Sequence, residues 1–191
     1  MSHRPIDESL AEAVLAWARS ALEAELRSAP VPPPLPDARP AGLFFTLYDA
    51  DGELRGSRGT SMAEQALPAL GPAMLRAAAF EDPRFPPLGA DELGSCRLAV
   101  TLLAEPRRIH GPEAIELGVT ALRIRAGLLG GTTLPEVAWG RGWDAPTYLA
   151  VACRKAGLHA LAWRSPETEV IAFRTVRAAE RWERALGDPA P

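Results

Sequence analysis

The chain has 191 residues, of which 47% are hydrophobic, and its 21 basic and 24 acidic side chains leave a net charge of −3. That length suits one domain or two intimately packed halves with a real core, and the near balance of charge removes the electrostatic reason to expect a nucleic-acid partner. Cys96 and Cys153 form neither a disulfide framework nor a CxxC zinc site, and no leader segment or apolar run of the ~20 residues a membrane span needs is present, so a cytoplasmic chain without membrane contact is expected.

Asp7 is placed to cap a first helix running to about residue 27. Leu10, Val14, Trp17 and Ala21 recur at helical spacing, and Leu22 and Leu26 widen that apolar face. Prolines at 30, 32, 33, 34, 36 and 40 stop the helix and predict an extended crossover along the surface. The run Leu43-Phe44-Phe45-Thr46-Leu47-Tyr48 and the turn-prone Asp49-Ala50-Asp51-Gly52 predict a hairpin, whose second arm carries Leu54-Arg55-Gly56-Ser57-Arg58-Gly59. A helix ending near Phe80 is predicted to cover at least 73–79, with Pro68 and Pro72 blurring its start. Three prolines make 81–88 irregular.

Farther on, Cys96, Leu98, Val100 and Leu102 alternate with Arg97, Ala99, Thr101 and Leu103, which predicts a strand with one strongly apolar side. A second strand is expected over 121–125. Gly127, Gly130 and Gly131 then predict a mobile or tightly turned segment ahead of 134–139. Asp144 is a fitting cap for a helix over 146–156, with Leu149, Ala150 and Cys153 on its apolar side and Gly157 ending it. A last strand over 170–176 and a short helix over 178–186 complete the chain. Hairpin-linked strands without a regular βαβ rhythm predict an α+β fold, a mainly antiparallel sheet with flanking helices.

The glycine-punctuated arm of the hairpin holds the candidate chemistry. Arg55 and Arg58 each supply a planar array of donors suited to carboxylate or phosphate. In an extended segment their spacing puts them on opposite faces; in a tight turn both address one anion, with Gly56 and Gly59 exposing main-chain amides as a nest would. The spacing and ending of a P-loop are absent. Ser57 is a nucleophile only where a base reaches it, and no GxSxG elbow or nearby base accompanies it; local hydrogen bonding is the plainer role.

Asp82 and Arg84 flank Pro83 and predict a local ion pair that orders the loop; the functional reading sets one of them beside the hairpin. Glu136 is either a pocket acid or a solvated carboxylate. The candidate ligand-binding set is therefore Arg55, Gly56, Ser57, Arg58, Gly59, Asp82, Arg84 and Glu136, with no catalytic residue assigned. His3, His110 and His159 have no metal-ligand spacing, so no metal or other cofactor is expected. Both cysteines read as inert packing, and Trp139, Trp143 and Trp163 as core or partner packing ahead of a ligand groove.

Taken together these segments resemble the AMMECR1 domain family, known in bacteria and archaea as AmmeMemoRadiSam system protein A. The landmarks are Gly42-Leu43-Phe44-Phe45-Thr46-Leu47, the Leu54–Gly59 arm, the run from Ala77 through Asp82-Pro83-Arg84 to Leu88, Leu134-Pro135-Glu136-Val137-Ala138, Trp143-Asp144, and Cys153-Arg154-Lys155-Ala156-Gly157-Leu158. The resemblance covers residues 8–176, leaving 177–191 as a C-terminal helix and tail. It implies a compact α+β protein of two closely packed subdomains with the signature hairpin near their junction. It also implies a non-catalytic binding or scaffold component of a pathway shared with Memo-like and radical S-adenosylmethionine proteins. The alternative is an enzyme or catalytic accessory acting on a small anionic substrate at the Arg55-Ser57-Arg58 hairpin. The family signature reads Leu-Arg-Gly-Cys-Ile-Gly, so Ser57 and Arg58 stand here at its Cys and Ile positions. A hydroxyl lacks the accessible anion of a thiol, whose free pKa is about 8.5. An arginine in place of isoleucine must face solvent, meet an acid such as Asp82, or mark a site with a changed purpose.

Overall fold

The computed structural model describes residues 4–181. Helix α1 spans Glu8–Arg27 and starts where Asp7 accepts a hydrogen bond from the Leu10 N–H at 2.9 Å. Its buried stripe is Leu10, Ala11, Val14, Ala18 and Leu22. Trp17, Ala21 and Leu26 lie beside that stripe and are only partly covered, so the apolar face is rotated slightly from the one the spacing suggests. Ser28, at φ 55°, turns the chain out of the helix.

The proline segment runs without regular structure to 41, and Leu35 and Ala38 anchor it in the core. Strands β1 (Gly42–Tyr48) and β2 (Leu54–Thr60) form the expected antiparallel hairpin. Gly52 sits in its turn at φ 88°, a conformation that glycine takes without a Cβ penalty. Helix α2 spans Leu67–Phe80 and begins six residues before the stretch the sequence secured. Pro68 lies in the first turn, where an N–H has no helical partner anyway. Pro72 removes one internal bond, while Leu67, Leu70 and Gly71 are buried around it and hold the turn in place.

Strand β3 (Arg97–Arg108) is longer than expected and buries Leu98 to Ala104 on both faces. It stands third in the six-stranded order β2-β1-β3-β6-β4-β5, and a strand flanked on both sides and covered on both faces shows no polar alternation. Strand β4 (Thr120–Ala126) pairs antiparallel with β5 (Leu129–Thr133), which the glycines at 130 and 131 had disguised as a bare turn. A Cβ on Gly131 would lie 3.2 Å from Ala156 Cα, so glycine permits the close approach of helix α3 (Ala145–Lys155). That helix is capped by Asp144, which accepts from the Thr147 N–H at 2.8 Å, and it ends before Gly157 at φ 79°.

Strand β6 (Glu169–Ala179) pairs antiparallel with β4. Toward β3, the bonds Ile109 N–H to Val170 O and Glu180 N–H to Leu98 O have the reciprocal register of an antiparallel pair. Ala178 and Ala179, expected to open a helix, are strand, and the rest of that helix beyond Arg181 lies outside the described residues, as does His3. The result is a mixed α+β fold, an antiparallel sheet with flanking helices.

The described chain divides into two units: residues 4–102 with 176–181, and residues 103–175. Each has its own core. The first is built on Leu10, Val14 and Leu22 of α1, Leu43, Phe45 and Leu47 of β1, and Leu67 and Leu75 of α2. The second gathers Leu122 and Ile124 of β4 with Tyr148, Leu149 and Cys153 of α3. Burying each such leucine or phenylalanine contributes ~1.5–3 kcal/mol.

Candidate functional site

The signature arm is an extended edge strand. β2 pairs with β1 in the register Phe45 to Arg58, Thr46 to Ser57 and Leu47 to Gly56, and it stands at the end of the strand order. Side chains alternate along a strand, so Arg55 and Ser57 share one face while Gly56 and Arg58 share the other. The two arginines therefore do not close on one anion. Neither Gly56 nor Gly59 takes a positive φ, and the nest geometry does not form. Their requirement is steric: a Cβ on Gly56 would lie 2.4 Å from the Ala78 carbonyl oxygen of α2, and one on Gly59 would lie 2.2 Å from Leu43 O and 2.5 Å from the Phe44 ring.

Each candidate side chain on this strand has a defined neighbour. Arg55 donates through Nε to Glu92 at 2.8 Å and through Nη2 to the same carboxylate at 3.0 Å, a two-pronged pair. That bond holds the Glu92 carboxyl below its ordinary value. Glu92 lies 37 residues from Arg55, and no local spacing points to it. Ser57 Oγ shares a 3.1 Å hydrogen bond with Thr46 Oγ1, its register partner on β1. Arg58 is exposed, and among the described residues its guanidinium reaches only the Glu81 carbonyl at 3.5 Å, just past the end of α2. Arg58 thus faces solvent, and Asp82 is engaged with Arg84.

That engagement organises the site. The Asp82 side chain is nearly buried, at 4% exposure. It accepts from Arg84 Nε at 2.9 Å, from Arg84 Nη2 at 2.6 Å and from the Arg84 N–H at 3.2 Å, which bears out the local ion pair. The same carboxylate accepts from the Ser57 N–H at 3.0 Å, and Arg84 Nη2 also donates to the Ser57 carbonyl at 3.3 Å. Acid and base together thus satisfy the outward donor and acceptor of an edge-strand residue, as a neighbouring strand would. Open strand edges invite unwanted pairing, and covering them is a common remedy. The Arg84 guanidinium, then burial opposing it and the Ser57 and Arg84 amides assisting, holds the Asp82 carboxyl far below the usual carboxylate range. Arg84 also lies over the Phe85 ring at 5.3 Å.

The remaining candidates belong to the chain's second unit or serve structural ends. Glu136 sits in the 3-10 turn Pro135–Ala138 of the second unit. Its charge, after burial, helps raise the Tyr148 phenol above its ordinary value. His159 Nδ1 accepts from the Leu161 N–H at 3.2 Å and shapes a turn. Trp143 and Trp163 pack on the second core, with Arg141 and Arg164 over their rings at 5.3 and 4.8 Å. Cys96 and Cys153 are free and buried, and burial pushes the Cys96 thiol up to about 11. Among the described residues, no three His, Cys, Asp or Glu side chains are grouped to hold a metal ion, and no helix is long and apolar enough to cross a membrane.

The family model described as AMMECR1 matches residues 15–178. The chain belongs to the AMMECR1 family. Among its relatives, Protein NEQ441 of Nanoarchaeum equitans is 39% identical over 139 residues, covering 70% of this chain and 77% of the relative. A protein of Methanothermobacter thermautotrophicus is 34% identical over 185 residues, with 91% and 95% covered. The crystal structure of the uncharacterized protein PH0010 from Pyrococcus horikoshii matches with a TM-score of 0.80 at 29% identity, covering 92% of this chain and 93% of that one. In this AMMECR1 chain Ser57 carries a hydroxyl bonded to β1 and Arg58 an exposed guanidinium.

Proposed function

We propose that this chain is a non-catalytic binding or scaffold component that acts beside a Memo-like and a radical S-adenosylmethionine protein, engaging a partner or a small anionic ligand along the outer edge of β2. The observation that carries this reading is the state of Ser57. Its hydroxyl is bonded to Thr46 and its main chain to Asp82 and Arg84, so among the described residues no base is set to remove its proton. What the edge offers instead is charge. Arg58 is exposed and the Arg84 side chain is 53% exposed, and both guanidiniums flank the main chain of 81–84 with donors unspent.

The test mixes the purified chain with the Memo-like and radical S-adenosylmethionine proteins of the same organism and follows association by calorimetry. Association that weakens in Arg58→Glu and survives Ser57→Ala, with no product formed by the chain alone, is the expected result. Product formation by the isolated chain that disappears in Ser57→Ala would overturn the proposal in favour of catalysis.

A further inference from the structure

A cleft of about 330 Å³ opens in the first unit, where its lining residues Leu93 and Gly94 directly follow Glu92, the partner of Arg55. Its charged walls are Arg19, Glu23 and Arg27 of α1, Arg97 at the start of β3, and Glu180 and Arg181 after β6. Arg19, Glu23 and Arg27 are spaced by four and so share one helix face. Among the described residues, four guanidiniums against two carboxylates leave the walls with an excess of two positive charges.

The carboxylates do not absorb that excess evenly. Glu180 is committed to Arg19 and to the Leu98 N–H at 2.9 Å, and Arg19 spends two more of its donors on the carbonyls of Leu93 and Cys96 at 2.9 and 2.8 Å. Arg97 and Arg27 are held differently. Arg97 Nη1 donates to the carbonyls of Gly94 and Cys96 at 3.1 and 3.2 Å, and Arg27 Nη2 donates to the Ala90 carbonyl at 3.1 Å. Carbonyls orient these guanidiniums without neutralising them, and each keeps further N–H groups free of those bonds. A Cβ on Gly94 would lie 3.7 Å from Arg27 Nη2, so both arginines converge on the same short loop.

We infer that this cleft binds a small polyanion carrying phosphoryl groups. Guanidiniums approaching from α1, from β3 and from the end of β6 suit tetrahedral oxygens, which accept from several directions, better than a planar carboxylate, which takes one fork. The volume lies at the low end for ligand sites, and charged walls give little purchase to an apolar molecule. The inference is independent of the proposal for β2, because the two share no residue.

The experiment titrates inorganic pyrophosphate into the full chain by calorimetry at fixed ionic strength, with citrate as the carboxylate arm. The expected result is saturable binding of pyrophosphate, stronger than that of citrate and weakened roughly tenfold or more in Arg97→Gln and Arg27→Gln. Because those two arginines also brace the loop, Arg181→Gln, at an exposed position, must weaken binding as well while leaving the circular dichroism unchanged. Arg125→Gln, exposed on β4 of the second unit, should bind as the wild type does. No saturable pyrophosphate binding, citrate binding as strong, or equal loss in Arg125→Gln would each overturn the inference.

Discussion

Replacing Asp82 by asparagine tests the edge-strand account directly. The carboxylate accepts from the Ser57 N–H at 3.0 Å and from three Arg84 donors at 2.6, 2.9 and 3.2 Å. Asn is nearly the same shape, but it offers one acceptor oxygen and turns an NH2 group toward a donor. A hydrogen bond to a charged acceptor contributes ~1.5–3 kcal/mol net, and one such bond is lost at the partly buried Ser57 amide. The Arg84 side chain is 53% exposed and recovers hydration, so breaking the ion pair itself adds only ~0.5–1 kcal/mol. The expected cost is about 2–4 kcal/mol, and at 2–4 °C per kcal/mol for a chain of this size the Tm falls by roughly 4–16 °C.

The pH dependence follows from the direction of the shift. The folded chain holds the Asp82 carboxyl far below its ordinary value, chiefly through the Arg84 guanidinium. A carboxyl depressed in this way contributes its full stability above the unfolded value of about 3.9 and loses it as the pH falls through the folded one. Thermal melts followed by circular dichroism should therefore show a gap between wild type and Asp82→Asn that is level from about pH 7 to pH 5 and narrows below about pH 4. A Tm loss under ~2 °C at neutral pH, or a gap that widens in acid, would refute the reasoning.

Gly56→Ala places a Cβ 2.4 Å from the Ala78 carbonyl; the overpacking of ~1–3 kcal/mol outweighs the ~0.4–1 kcal/mol gained from a stiffer unfolded chain, and the Tm should drop by a few degrees. An equally or more stable variant would contradict that close approach. In Tyr148→Phe the hydroxyl that lies 3.1 Å from both the Thr120 and Thr133 carbonyls is lost, so urea melts should register about 1 kcal/mol of destabilisation, and an unchanged midpoint would count against the bond. Native wild-type protein should resist a thiol reagent at pH 8, since burial shields Cys96 and Cys153 and raises both thiols. Ser57→Cys should add one reactive thiol on the half-buried edge strand. Rapid labelling of the native wild type would show that one of the buried cysteines is accessible.

The features legible from the chain were those whose causes lie within a few residues. Asp7, Asp144 and Gly157 mark helix ends because capping joins groups three or four positions apart. Asp51-Gly52 marks the hairpin, and Asp82 meets Arg84 across a single proline, so the ion pair was visible from spacing. Strand β5 was hidden because Gly131 answers to Ala156, just past α3, and Gly130 to Ile124 of β4, rather than to any local preference. The two-sided burial of β3 depends on the strands on either side of it, which its own alternation cannot reveal. At the site, the types of residue were readable but their partners were not. Arg55 finds Glu92 across 37 residues, and Arg58 turns to water because an extended backbone sends side chains three apart to opposite faces. Short-range chemistry is written in neighbouring letters, whereas which distant segment supplies an acid, a carbonyl or a steric limit is settled only when the cores close and strand order sets what lies beside what.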